Sequence, residues 1–280
     1  MSHLQAHGSR RFCAMTPRML IGFALAVVIA LIARRRGALS TNGALASVIL
    51  GTLAMAAGVR WGALLVAYFV IATGLSRWKH AEKSARTASV VQKTGARDAF
   101  QVLANGVVFV AAALAATIWN APALAAAALG ALAASMADTS ATEVGGAVGG
   151  PPRSLTSGKR VAAGLSGGVT LAGTLAMVAG GALVGTFGRL LGFSTVAAWS
   201  AIAGGITGAL ADSLLGSTLQ ERRQCPACGA LTERSLHNCQ PAGVETTVVG
   251  GIRRFDNDWV NLTSTAIGAV VAAIFGRGGA

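Results

Sequence analysis

Eight apolar runs, each close to the length of a bilayer crossing, constrain this chain more than any other feature. They lie at residues 18–33, 39–57, 61–76, 100–118, 121–137, 166–187, 196–217 and 259–276. A helix needs ~20 apolar residues to cross the hydrocarbon layer. The expected fold is therefore all-α: a polytopic membrane protein of about eight transmembrane helices. Only 12% of the 280 residues are charged and the mean hydropathy is +0.60, against roughly 25% charged in soluble domains. Residues 1–17 read as a polar N-terminal tail and 18–280 as one integral membrane domain. The first run ends in Arg34, Arg35 and Arg36 instead of a small-residue cleavage site, so it reads as a retained helix and not a signal peptide.

The net charge of +13 would suggest nucleic acid in a soluble protein, but here the basic residues lie in loops, as the positive-inside rule places them. If the loop holding Arg34 to Arg36 is cytoplasmic and every run crosses, one side receives nearly all of them. It takes Arg77, Lys79, Lys83, Arg86, Lys93 and Arg97, then Arg153, Lys159 and Arg160, then Arg222, Arg223, Arg234, Arg253 and Arg254. Of the 23 Lys and Arg, only Arg10, Arg11, Arg18, Arg60, Arg189 and Arg277 fall elsewhere. Both termini are then outside, the polar loops are cytoplasmic, and nucleic acid is excluded as a partner. The ten acids lie in the same loops or at the helix ends that enter them. Long loops account for Glu82, Glu221, Glu233 and Glu245. Asp98, Asp138 and Asp212, at or inside helix ends where charge is costly, point to function.

The stretch from Ala137 to Thr174 concentrates the chemistry. It leaves an apolar run through Asp138 and Glu143, crosses a Gly- and Pro-rich turn, presents Arg153, Ser157, Lys159 and Arg160, and enters GLSGG with Gly164, Gly167 and Gly168. Asp212 ends a second helix in the same Ala-Asp-hydroxyl pattern as Asp138. Asp138, Glu143 and Asp212 are candidate Mg²⁺ ligands for a polyphosphate, because Mg²⁺ takes one or two carboxylates plus phosphate oxygens. The bases would neutralise the phosphates, and the glycines would offer N–H groups at a helix start. SGKR at 157–160 is no P-loop, since Arg153 stands where the earlier glycine belongs and no strand precedes it. GALVG at 181–185 and GGITG at 204–208 have the small-xxx-small spacing of helix packing.

Two further polar faces enter helices. Asp98, Gln101 and Asn105 follow Arg97 at 3 and 4 residue spacing and share one side; Asn257, Asp258 and Asn261 repeat the pattern. Both are candidate sites for a lipid head group. Within a Cys-rich loop at 218–258, Cys225, Cys228, His237 and Cys239 form C-x2-C-x8-H-x-C. That spacing suits structural Zn²⁺, and exposed free thiols are the competing reading; a reducing cytoplasmic side disfavours a disulfide. Cys13 stands alone.

The blocks RDAFQVLANG, ADTSATEVG, PRSLTSGKRVAAGLSGGVTLAGT, GALADSLLGSTLQ and NDWVNLTST, in this order, resemble the transmembrane protein 19 family, once called domain of unknown function 92. That family includes a plant phytyl-phosphate kinase. The pattern from Asp138 to Gly168 is also similar to a signature of CTP-dependent phosphatidate cytidylyltransferase and, more distantly, of dolichol and phytol kinases. It departs from that signature at Thr142 and at Leu165-Ser166, where an acid is usual. The resemblance implies an Mg²⁺-dependent enzyme that uses CTP as co-substrate and acts on a lipid phosphate in the cell (inner) membrane, with its active site on the cytoplasmic face.

The residues lean the same way. His3, His7, His80 and His237 all lie outside the motif blocks, which leaves no obvious general base, and an acceptor that is already a phosphate needs none. The leading expectation is a kinase that converts an isoprenyl monophosphate to the diphosphate. A cytidylyltransferase making a CDP-lipid and a transporter or lipid scramblase are the alternatives, and association into a homo-oligomer stays open.

Overall fold

Each apolar run forms a helix in the computed structural model, which describes residues 2–93 and 95–277 and side chains from residue 17 onward. The long helices are α1 (Ser2–Arg35), α2 (Thr41–Ala57), α3 (Val59–Arg77), α5 (Ala99–Trp119), α6 (Pro122–Val148), α7 (Leu171–Leu190), α8 (Thr195–Thr218) and α9 (Asn257–Gly276). A short amphipathic helix, α4 (His80–Thr87), lies between α3 and α5. Among the described residues, six helices are long and apolar enough to span a bilayer: α1 from Pro17, α3, α5, α6, α7 and α9. α2 is shorter, at 17 residues, and α8, at 24 residues, is not among the six. The side chains of His3, His7 and Cys13 lie outside the described residues.

Side-chain caps start five of these helices. Ser40, Asp98, Thr170, Ser194 and Asp256 each accept a backbone N–H from the first turn of α2, α5, α7, α8 and α9, removing an orphan donor.

α6 is the axis of the bundle. From Ala126 to Ala137 every side chain is buried, the pattern of a helix surrounded on all sides. α5, α7, α8 and α9 pack around it. Small residues permit the approach: a Cβ on Gly130 of α6 would sit 2.5 Å from the Gly268 carbonyl oxygen of α9, and one on Gly204 of α8 would sit 2.4 Å from that same atom. Three backbones therefore converge on Gly268. The GALVG and GGITG glycines also serve packing, with Gly185 against Ala198 and Ile202 and Gly208 against Ala134 and Ser264.

Three boundaries differ from expectation, the first being α1, which begins at Ser2 and not at residue 18. α6 does not end at residue 137; nothing breaks the helix before Gly149-Gly150-Pro151-Pro152, so Asp138 and Glu143 sit on its last turns inside the bundle. Likewise, Asp212 precedes the end of α8 at Thr218. α7 begins at Leu171, because Gly168–Val169 (β2) pairs antiparallel with Arg153–Ser154 (β1). Gly164, Gly167 and Gly168 therefore lie in a hairpin and not at a helix start. The 219–256 loop adds a three-stranded antiparallel sheet to the helical fold, in the order β4 (Leu231–Thr232), β3 (Arg222–Gln224), β7 (Thr247–Gly250). It also holds a pair of β5 (Leu236–His237) with β6 (Val244–Glu245).

The four charged loops meet at one end of the bundle. Ser40 N–H donates to the Arg97 carbonyl (3.1 Å), Arg86 donates to the Gly146 carbonyl, Ser166 binds Glu233, and Lys93 binds Asp258. The alternation of crossings read from the basic residues agrees with this clustering.

Candidate functional site

Asp138 of α6 and Asp212 of α8 meet where these helices pack, and their carboxyl groups interact directly. Ser264 on α9 neighbours Asp212, its hydroxyl donating to the Asn261 carbonyl (3.0 Å). One Asp212 oxygen, Oδ2, is buried with no hydrogen-bond partner. Buried polar atoms are nearly always paired, and two carboxylates in contact repel unless a cation or a shared proton lies between them. The donor set is hard carboxylate oxygen, which fits Mg²⁺.

Other acids extend from this pair. Glu143, one turn beyond Asp138, forms an ion pair with Lys83 of α4 and accepts from Ser76 Oγ (2.6 Å). Arg97 donates to the same Ser76 hydroxyl (2.9 Å). Glu233 lies close enough to influence Asp212 and is itself influenced by Asp256. Burial pushes the Glu233 carboxyl up, against the hydrogen bonds it accepts from the Ser166 N–H and hydroxyl. Lys93 then bridges Asp98 (2.8 Å) and Asp258 (2.5 Å). Burial opposes the Lys93 charge, but its bonds to Asp258 and Asp98 outweigh that and hold the ammonium above its usual range. For Asp98, burial is outweighed by Lys93 and the Gln101 N–H, which hold the carboxyl below its usual range. Seven of the chain's ten acids thus string across one end of a protein with a net charge of +13.

The glycine-rich hairpin closes over this end. Gly167 has φ +78°, and a Cβ there would meet Ser217 Cβ at 2.3 Å; that contact lies one turn or so past Asp212 on α8. The Gly168 N–H is already bonded to the Leu165 carbonyl (3.1 Å), so close packing, not a row of free N–H groups, explains these glycines. Arg153, Ser157, Lys159 and Arg160 are exposed on the hairpin. Arg153 donates to the Gly158 carbonyl (2.9 Å), and among the described residues none of the three bases is ion-paired.

The sequence pattern of the integral membrane protein family DUF92 matches residues 24–269. The chain belongs to this family. Protein PGR of Arabidopsis thaliana is 28% identical over 92% of the chain and 96% of its own length. An uncharacterized membrane protein of Methanocaldococcus jannaschii, MJ0933, is 30% identical over 84% of the chain and 92% of its own. No solved structure matches.

This DUF92 chain also uses its other polar faces. Asp98 and Gln101 form a reciprocal capping box at the start of α5, so part of their role is structural. With Gln92, Lys93, Gly95 and Ala96 they line a recess of about 250 Å³. Asn105 turns into the bundle, accepting from Ser135 (2.7 Å), which in turn meets the Tyr68 hydroxyl (2.8 Å); that chain ties α5, α6 and α3 together. Asn257 starts α9, whereas Asp258 and Asn261 are buried on it, and Asp258 Oδ1 has no partner.

Cys225, Cys228, His237 and Cys239 present ligand atoms all within 4.8 Å of one another. Burial works against the Cys225 thiolate, but the N–H groups of Cys228 and Ala227 aimed at its sulfur bring the thiol down to about 6. Burial and the neighbouring Cys225 and Cys228 raise Cys239 to about 11. Sequence reasoning missed Glu233, Lys93, Ser135 and Tyr68. In sequence the first two are ordinary loop charges and the last two carry no signal, because their partners come from other helices.

Proposed function

We propose that this DUF92 protein is a membrane phosphotransferase that moves the terminal phosphoryl group of CTP to an isoprenyl monophosphate. The contact between Asp138 and Asp212, with a buried Asp212 oxygen left unpartnered, carries the reading: a protein retains such a pair in apolar surroundings where a cation is to be held. The family resemblance supplies the nucleotide and lipid classes.

Asp138 and Asp212 would hold Mg²⁺, which when bound withdraws charge from the phosphate oxygens and favours in-line transfer. Glu143 is neutralised by Lys83 and would join the metal only by leaving that ion pair. Arg153, Lys159 and Arg160 stand exposed on the hairpin beside α8 and would offset the charge of the triphosphate. The recess beside Lys93, Asp98 and Gln101 would take the lipid head group, with Lys93 balancing Asp98 and Asp258 and Asn257, Asp258 and Asn261 on its α9 side. The acceptor phosphate oxygen attacks the γ-phosphorus and the bond to the β-phosphate oxygen breaks, releasing CDP; no side chain need take a proton. The tail would lie against the Ala/Gly-rich helices. Positive-inside placement of the basic loops supports a cytoplasmic location for this end, in the cell (inner) membrane.

The test uses purified protein, Mg²⁺, CTP labelled in the γ-phosphate and a panel of phytyl, geranylgeranyl and polyprenyl monophosphates. Label in a lipid diphosphate, abolished by Asp138→Asn, is expected. Label released only as pyrophosphate, with a CDP-lipid formed, would identify a cytidylyltransferase instead. No turnover with any lipid would favour transport or scrambling.

A further inference from the structure

The loop from Glu221 to Asp256 holds its shape with almost nothing apolar inside. Among its described residues, the buried side chains are those of Cys225, Thr232, His237 and Thr246. A segment of this size lacks the hydrophobic burial to order itself and needs a staple. Cys225 and Cys228 sit on the turn between β3 and β4, and His237 and Cys239 lie at the end of β5. The four ligand atoms gather within 4.8 Å, and the three cysteines are free of disulfides. Three thiols and one imidazole are soft and borderline donors in the number that tetrahedral Zn²⁺ takes, and they do not suit Mg²⁺ or Ca²⁺.

We propose that Cys225, Cys228, His237 and Cys239 bind a structural zinc ion that holds Glu233 in the acidic cluster. Between the inner ligands run Thr232, Glu233 and Arg234, which grip the segment after α4. Thr232 Oγ1 donates to the Ser89 carbonyl (2.9 Å), the Glu233 N–H to Val90 (2.9 Å) and Arg234 Nη1 to Ala88 (2.7 Å). The Glu233 carboxylate then receives both donors of Ser166 from the glycine-rich hairpin. Metal on Cys228 and His237 pins both ends of this short run, so Glu233 stays on the Ser166 donors of the hairpin that packs on α8. The positioning role rests on the phosphotransferase reading; the metal site does not.

Full-length protein is purified in detergent under reducing conditions with no metal added, and zinc and iron are measured by mass spectrometry beside a thiol titration. One zinc per chain is expected, with iron below a tenth of that. Cys228→Ser and His237→Ala should each lower zinc at least tenfold. Metal-free wild-type protein with all thiols reactive, or a disulfide that survives reduction, would overturn the site. Hydrogen exchange reads the positioning: zinc loss in Cys228→Ser should speed exchange at residues 88–90 and 231–234 at least tenfold while α6 and α8 stay protected. Unchanged exchange there would overturn the brace. Glu233→Gln keeps the acceptor for Ser166 and should keep zinc while lowering kcat about tenfold with little change in KM. Full turnover in that variant would remove Glu233 from the site, and a zinc-loaded wild type inactive on every lipid phosphate would sink the phosphotransferase reading alone.

Discussion

Asp138 and Asp212 face each other across the interface of α6 and α8, and unless a cation or a shared proton lies between them the arrangement costs stability because like charges share a buried site. Residues retained against stability are a mark of function.

Asp212→Asn should therefore raise the melting temperature in Mg²⁺-free buffer, by roughly 2–4 °C for each kcal/mol of repulsion relieved, while lowering turnover on the order of 10²–10³-fold. Added Mg²⁺ should stabilise wild type and leave the variant unmoved. A thermal-shift series with and without Mg²⁺ decides it; a variant that melts lower than wild type in both buffers would mean that the pair is structural.

Removing the Lys93 ammonium leaves Asp98 and the 8%-exposed Asp258 without their shared cation. Breaking a fully buried pair costs about 3–5 kcal/mol. Lys93 is 37% exposed, so solvent screening reduces the expected cost of Lys93→Met to about 1–2 kcal/mol. The pH dependence has a definite sign. Asp98 is held below its ordinary 3.8, so its contribution is complete above that value and is lost as acid takes the pH through the lowered one. Lys93 is held above its ordinary 10.5, so its share is complete below that value and is lost as the pH rises through the raised one. The stability gap between wild type and Lys93→Met should be largest between those two ordinary values and should shrink at both extremes, as read by melting curves.

Ser135 links Tyr68 to Asn105 inside the bundle. Ser135→Ala strands the Asn105 side-chain oxygen and should cost about 1 kcal/mol, near the usual range for hydrogen bonds between membrane helices. Tyr68→Phe leaves the Ser135–Asn105 bond in place and should cost less. Both should retain turnover, which an assay beside the melting curve would show.

Gly268 lies where the α6, α8 and α9 backbones converge, and a Cβ there would meet Ala134 Cβ at 2.7 Å and the Gly204 oxygen at 2.9 Å. Gly268→Val should destabilise by about 3 kcal/mol or more, at the upper end for overpacking, because backbone cannot step aside. Detergent-solubilised yield and melting temperature would report it. A stable Gly268→Val protein would mean that the three helices do not pack this closely.

Hydropathy alone determined that the chain is a bundle of membrane helices, and the basic residues alone determined that its charged loops share one end, since a bilayer enforces both whatever the tertiary contacts. The pairing of Asp138 with Asp212 was legible from two short matching blocks, as was the Cys225-to-Cys239 cluster from its spacing. Tertiary structure decided the rest. It extended α6 through Asp138 and Glu143 to Val148, because the helix there is surrounded by neighbours and meets no breaker until Gly149. It turned Gly164 to Gly168 into a hairpin packed on α8 and divided the polar residues between site and scaffold, sending Asn105 to Ser135 and Asp98 to Lys93. It also drew Glu233 out of its loop to Ser166. Such partners lie far apart in sequence, and local pattern records the side a residue faces but not which residue meets it there.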